Sequence, residues 1–247
     1  MKYFQRNRQV SDGEPIGILA IENYVPYVPG DAANASSYSF PVRFERLRGF
    51  TPERLFNHDM SLVDDAIAAG RRLVDEGVRA VTGDCGFLAI YQDRIAEALG
   101  VPVFLSSLLQ LDFILRMLPP SQSIGVVTAN RPALDSTVLG AVSSVPDHRL
   151  IIAGLENSPH FVSYVFDEIG ELDTELVEAE VLELTNQIRA TARSSDTPVG
   201  AILLECSLLP PYAAAVQQQT GLPVFDYNTM INYVFSAVVR RRFEGFM

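Results

Sequence analysis

Val78-Arg79-Ala80-Val81-Thr82-Gly83-Asp84-Cys85-Gly86-Phe87-Leu88, followed by Gly100-Val101-Pro102-Val103-Phe104, has a second copy in this chain. That copy is Val199-Gly200-Ala201-Ile202-Leu203-Leu204-Glu205-Cys206-Ser207-Leu208-Leu209, followed by Gly221-Leu222-Pro223-Val224-Phe225. One offset, 206 − 85 = 121, aligns the two without a gap and pairs Cys85 with Cys206, Asp84 with Glu205 and Tyr91 with Tyr212. The chain has two cysteines, and they occupy the same slot of a repeated unit.

Each copy opens with an apolar run too short for a helix, which suits a strand buried on both faces. A polar break carrying the cysteine follows, then a helical stretch (Tyr91 to Leu99; Tyr212 to Thr220) that ends at glycine. The proline beyond it introduces a second buried strand. The reading is strand, cysteine, helix, strand. It puts each thiol at the carboxyl end of a parallel strand, where open α/β sheets carry their sites. A helix N-terminus close by favours a thiolate.

The hydrophobic fraction of 48% and charged fraction of 20% are ordinary for a globular protein of 247 residues. A formal charge of −11 argues against nucleic acid or an anionic membrane as partner. Met1 to Pro15 lacks an apolar core, so no signal peptide is expected. Val103 to Leu118 is interrupted by Gln110, Asp112 and Arg116, so no transmembrane helix is expected either. A cytoplasmic, reducing location follows, where a pair of cysteines is more often reactive than joined in a disulfide.

Outward from the copies, Ile16 to Ile21 reads as the first buried strand, with Glu22, Asn23 and Tyr24 at its carboxyl end. Asn23 to Ser39 is a long loop rich in Pro, Gly, Asn, Ala and Ser that carries Tyr24, Tyr27 and Tyr38. It is expected to form a lid over the strand ends, against the plainer reading of a surface excursion. Phe40 to Leu47 alternates like a more exposed strand, Thr51-Pro52 starts a short helix, and Met60 to Glu76 is an amphipathic helix ended by Gly77. Ser106 to Leu118 is helical. Ser123 to Thr128 echoes Ile16-Gly17-Ile18-Leu19, which extends the duplication over most of the chain and places Thr128, Ala129 and Asn130 at a strand end equivalent to that of Glu22. Arg149 to Ala153 is a strand, Ser158-Pro159 begins a helix, and a long acidic helix runs from Asp173 to about Ala192. Asn228 to Arg240 closes the chain as a helix.

A lone cysteine after a strand is ordinarily a small buried hydrophobe. Two in equivalent slots of a pseudo-symmetric pair point instead to one cleft with a thiol on each side. One thiol would remove a proton from carbon and the other deliver one to the opposite face. A free thiol, with a pKa of about 8.5, needs only a modest downward shift for this work. Asp84 and Glu205 are expected to point away from the cysteine face by strand alternation, and to orient the site rather than react. Ser106, Ser107, Thr128, Asn130, Asn228 and Thr229 end neighbouring strands and suit a substrate carboxylate, helix capping being the alternative for each. His58, His148 and His160 share no ligand spacing with one another or with the cysteines, so no metal is expected. No glycine-rich phosphate loop follows any strand, so no nucleotide cofactor is expected.

At Cys85, and at Leu204-Glu205-Cys206-Ser207, the sequence resembles the aspartate/glutamate racemase superfamily, which includes aspartate, glutamate and hydantoin racemases, maleate isomerase and arylmalonate decarboxylase. The resemblance implies that Cys85 and Cys206 are an opposed acid/base pair. It departs from glutamate racemase at Ser207, where that enzyme has Thr-His, and at Ile21-Glu22-Asn23, where it has Asp-Ser-Gly. Over nearly the whole chain the sequence is more similar to the Alma-type dimethylsulfoniopropionate lyases. The segments are Pro29-Gly30-Asp31, Thr82 to Phe87, Ser106-Ser107-Leu108, Thr128-Ala129-Asn130, and Leu204-Glu205-Cys206 with Leu209-Pro210-Pro211-Tyr212-Ala213. In that branch a cysteine would remove the proton α to the carboxylate while dimethyl sulfide leaves the β carbon. Tyr24, Tyr27 and Tyr38 would then hold the sulfonium by cation–π contact.

The expected fold is α/β, with two similar flavodoxin-like parallel-sheet halves related by a pseudo-twofold and the active site in the cleft between them. Residues 1–106 and 214–247 form the first half and residues 107–213 the second, the closing helix packing back on the first half as the resemblance implies. The expected activity is cofactor-independent abstraction of a proton α to a carboxylate. Amino-acid racemisation ranks first, β-elimination from a sulfonium second and a small-molecule binding protein third. Cys85 and Cys206 are the expected acid/base pair. Glu22, Tyr24, Tyr38, Ser106, Ser107, Thr128, Asn130, Ser207 and Asn228 are expected to hold a small carboxylate or amino acid. A homo-oligomer, dimer or tetramer, is expected.

Overall fold

A computed structural model of the chain describes residue 2, residues 9–195 and residues 197–247. Much of the polar opening stretch, residues 1–15, in which no signal peptide is expected, lies outside the described residues. In the first half, β1 (Ile16–Ala20), β2 (Val42–Arg46), α1 (Pro52–Phe56), α2 (Val63–Asp75), β3 (Ala80–Gly83), α3 (Gln92–Leu99), β4 (Val103–Phe104) and α4 (Leu111–Met117) follow in order. The second half continues with β5 (Ser123–Thr128), α5 (Ser136–Gly140), β6 (Leu150–Gly154), α6 (Pro159–Val165), α7 (Thr174–Ser194), β7 (Val199–Leu204), α8 (Ala213–Thr220), β8 (Val224–Phe225) and α9 (Tyr227–Val238).

The strands form two parallel four-stranded sheets, ordered β2-β1-β3-β4 and β6-β5-β7-β8. The duplication holds residue by residue. Gly17 on β1 pairs with Val81, and Gly125 on β5 pairs with Ile202, the residue 121 positions later. Both glycines are needed because a helix lies directly on the strand: a β-carbon at Gly17 would press on Leu73 of α2, and one at Gly125 on Ile188 of α7. α3 and α8 both end at a left-handed glycine, Gly100 at φ 67° and Gly221 at φ 69°. The long acidic helix α7 begins where the Asp173 carboxylate accepts from the N–H groups of Glu175 and Leu176, each at 3.1 Å.

The last helix of each half crosses to the other. Leu111 and Ile114 of α4 join a core with Ile124, Val126, Ala201 and Leu203 of the second sheet. Tyr227, Met230 and Ile231 of α9 pack with Ile16, Ile18 and Phe104 of the first. α9 is started by a capping box in which the Asp226 carboxylate accepts from the Thr229 N–H at 2.7 Å and the Thr229 hydroxyl from the Asp226 N–H at 2.9 Å. The closing helix α9 thus packs on the first sheet. The boundary falls later than residue 213, however. β8 is a strand of the second sheet, and Val216 of α8 packs in its core, so residues 214–225 belong to the second half. A strand–helix–strand unit buries its faces against its own sheet and cannot be divided between two. No helix among the described residues is long and apolar enough to cross a membrane.

Candidate active site

The two cysteines stand just past the ends of β3 and β7, each followed by a 3₁₀ turn, Gly86–Tyr91 and Pro210–Tyr212 in the two halves. Both line one cavity at the seam between the sheets, together with Ile21, Asn23, Tyr27, Pro52, Phe56, Asp84, Gly86, Phe87, Ala129, Val165, Glu205, Ser207 and Leu208. The cavity has about 40 Å³ of room for water centres, where one ordered water needs roughly 10–15 Å³. It is a small, partly enclosed cleft. Pro52, Phe56 and Val165 also line an outer depression of about 430 Å³, so these three side chains stand between the thiols and solvent. Phe56 meets Phe87 edge-on at 4.8 Å and Phe166 at 5.8 Å, an aromatic contact that bridges the two halves.

Both thiols are held above their ordinary pKa. The N–H groups of Phe87 and Leu88 face the Cys85 sulfur and that of Leu208 faces the Cys206 sulfur, each favouring the thiolate. Burial outweighs them and pushes both thiols up, and the nearby Glu205 carboxylate pushes them further. Both thiols are therefore shifted upward rather than downward, by burial first and by the neighbouring carboxylate second. The charge of Cys85 also acts on Cys206, so the two thiols share one electrostatic environment.

Asp84 and Glu205 depart from their expected orientation. Each follows the last strand residue, where alternation no longer governs direction, and both residues line the cavity. Asp84 Oδ1 accepts from the Ile21 N–H at 2.9 Å. Glu205 Oε2 accepts from the Thr128 hydroxyl at 2.8 Å, and the carboxylate also takes the Ala129 N–H. Burial raises each carboxyl to about 7. Glu205 Oε1 is buried without a hydrogen-bond partner.

The remaining candidates divide. Ser207 lines the cleft and its hydroxyl donates to the Asp84 carbonyl across the seam. Ser107 also crosses the seam, donating to the Glu205 carbonyl at 2.9 Å. Thr128 holds Glu205. Ser106 caps the turn after β4, accepting from the Leu108 N–H at 3.2 Å, and Asn228 donates to the Gly30 carbonyl at 2.6 Å. Asn130 accepts from the Ala133 N–H at 3.1 Å and lines the outer depression rather than the cleft. Glu22 is not brought to the cleft: Arg46 and the Gly49 N–H occupy its oxygens, the latter at 2.9 Å. Tyr24 is 60% exposed, its ring under the Arg46 guanidinium, and Tyr38 is buried in the first half's core with its hydroxyl on the Ala32 carbonyl. Of the three loop tyrosines, Tyr27 lines the cleft. Asn23, Phe56 and Phe87 line it too without having been singled out; their apolar or loop setting carried no chemical signal. Among the described residues, no group of three or more His, Cys, Asp or Glu is placed to hold a metal.

No family model matches the chain. It is 29% identical over 238 residues to dimethylsulfoniopropionate lyase 3 of Emiliania huxleyi, covering 93% of this chain and 61% of that one. The chain thus spans about three fifths of the length of the relative it matches. Allantoin racemase from Pseudomonas fluorescens shares its fold at 17% identity, with a TM-score of 0.58 and 91% of each chain covered. Unliganded arylmalonate decarboxylase does so at 16% identity, with a TM-score of 0.56 and 93% of this chain and 94% of that one covered.

Proposed function

We propose that this chain, related in sequence to the dimethylsulfoniopropionate lyases and folded as an aspartate/glutamate racemase, is a cofactor-independent acid–base enzyme acting on the carbon α to a carboxylate. The observation that carries the reading is that both thiols open on one cavity from equivalent turns. Among the described residues lining that cavity there is no lysine, arginine or histidine, while two carboxyls and the aromatic rings of Tyr27, Phe56 and Phe87 are present. An acidic amino acid would bring a second anionic group with no cation to meet it. A sulfonium carboxylate brings a cation to an acidic, aromatic-lined cleft. Its positive charge also lowers the thiol and carboxyl pKa values, so the substrate helps to generate the thiolate that attacks it.

Elimination from a small sulfonium carboxylate such as dimethylsulfoniopropionate is therefore ranked first here. A cysteine thiolate takes the α proton, the β carbon–sulfur bond breaks with its electron pair going to sulfur, and dimethyl sulfide and acrylate form. Racemisation of an amino acid is the second reading. The unpartnered oxygens of Asn23 and Glu205, both on cleft-lining residues, favour it because they suit an ammonium donor. Incubation of the purified chain with each substrate in deuterium oxide separates the two. Headspace dimethyl sulfide is expected from dimethylsulfoniopropionate, whereas α-deuterium incorporation with loss of optical activity in an amino acid would select the racemase. Neither signal from any small carboxylate would dispose of both.

A further inference from the structure

α1 and α6 are counterparts. Each follows the edge strand of its sheet, β2 or β6, and each starts with a hydroxyl residue and a proline, Thr51-Pro52 and Ser158-Pro159. Both end at the seam, where Phe56 from one and Val165 from the other line the cleft. Just beyond them stand His58 at φ 54° and Glu168 at φ 47°, which among the described residues are the two left-handed residues other than glycine. That conformation is costly and persists where the surroundings over-determine it. Here each is tied to the opposite half. The His58 Nε2–H donates to the Ala133 carbonyl at 3.1 Å. Glu168 Oε1 accepts from the Asn23 amide at 3.1 Å, and the same nitrogen donates to the Val165 carbonyl at 3.0 Å. Phe56 and Phe166 meet edge-on at 5.8 Å across the seam.

The cleft behind these helix ends is too small for a substrate. At roughly 10–15 Å³ per water, its 40 Å³ takes about three or four waters, fewer atoms than a sulfonium carboxylate carries. The outer depression has about 430 Å³ and shares the walls Pro52, Phe56 and Val165 with the cleft. On the reading that the cleft takes the substrate, we propose that the ends of α1 and α6 are paired flaps that part to join the two spaces, with Asn23 as their latch. Val165 and Glu168 also line the depression, so water can take over both of the Asn23 bonds when the flaps part. Substrate enters through the depression, and the flaps close over it.

The test needs no substrate. Iodoacetamide is small and N-phenylmaleimide is bulky, and both react with the thiolate. The ratio of their rates at Cys85, resolved by peptide mass spectrometry, therefore cancels the thiolate population and reads access alone. Phe56→Ala removes one flap's ring and Asn23→Ala removes the latch. Each is expected to raise the maleimide-to-iodoacetamide ratio about tenfold. Leu73→Ala loosens the core of the first half where α2 lies on β1, and should leave the ratio within about twofold of the parent protein's. Ratios unchanged in both flap variants overturn the proposal. An equal rise in Leu73→Ala overturns it too, since access would then follow general loosening. Either result leaves the functional reading standing, because no turnover is involved. That reading fails separately, on full turnover by Cys85→Ser.

Discussion

The two corners of the cleft are built from the same positions and furnished differently. In the first half the acid before the cysteine is Asp84 and the residue after it is Gly86; in the second they are Glu205 and Ser207. Asp84 is short. It reaches its own sheet's Ile21 N–H, and its carbonyl receives the Ser207 hydroxyl from across the seam. Glu205 is longer by one methylene and takes the Ala129 N–H, the residue that corresponds to Ile21, yet it still has an oxygen left over against Gly86. The free oxygen of the long acid faces the missing side chain, while the main-chain carbonyl of the short acid takes the serine hydroxyl. A duplicated scaffold has thus acquired two unlike corners.

The largest test of that asymmetry is the pair Cys85→Ser and Cys206→Ser, assayed separately for dimethyl sulfide release. Removing a positioned base typically costs on the order of 10²–10⁴-fold in rate, and this loss is expected at Cys85. A clearly smaller loss is expected at Cys206. Equal collapse of both would show that the elimination needs both thiols and that the two corners do not divide the work.

Next in size is the pH dependence of stability. The folded-state pKa of Asp84 is raised to about 7 from its ordinary 3.8 by burial. The unfolded chain therefore loses this proton first as pH rises, and the folded state is penalised. Stability from this group is full below about pH 4 and falls by up to about 1.4 kcal/mol per pH unit until pH 7. Asp84→Asn keeps the oxygen that accepts from Ile21 and removes the charge. Its urea midpoint should match the parent protein at pH 4 and exceed it at pH 8. A midpoint no higher at pH 8 would mean that the Asp84 corner is wetter than its burial implies.

The smallest effect is expected for Ser207→Ala, which leaves the Asp84 carbonyl without its cross-seam donor and should lower stability by about 1–2 kcal/mol. No change in the denaturation midpoint would show that the reciprocal fit of acid and serine does not hold the halves together.

Much of the fold was legible because it is written in backbone preferences. Short apolar runs, glycines at helix ends and a constant offset of 121 between the cysteine segments point to paired β–α–β units, and the sheets, Gly100 and Gly221 follow them. Placing the halves' boundary near residue 213 failed because it cut through a unit whose second strand, β8, completes the second sheet. The site was legible as a pair of thiols and less so as a set of neighbours. Tyr24, Tyr27 and Tyr38 share one loop and look alike in sequence, but one faces solvent over Arg46, one lines the cleft and one is buried in the core. Loop direction depends on what the loop packs against, and no local period encodes it.

The sequence by itself determined that two equivalent strand ends each carry a cysteine with an acid before it, since strand length, turn and helix start are local properties of the chain. Only the tertiary structure decided that both cysteines line one cavity, that burial pushes their thiols up, and that Glu205 turns its spare oxygen toward Gly86 in the opposite half. The physical reason is that charge and desolvation depend on every group within a few ångströms, and those groups meet only when the two halves close on each other.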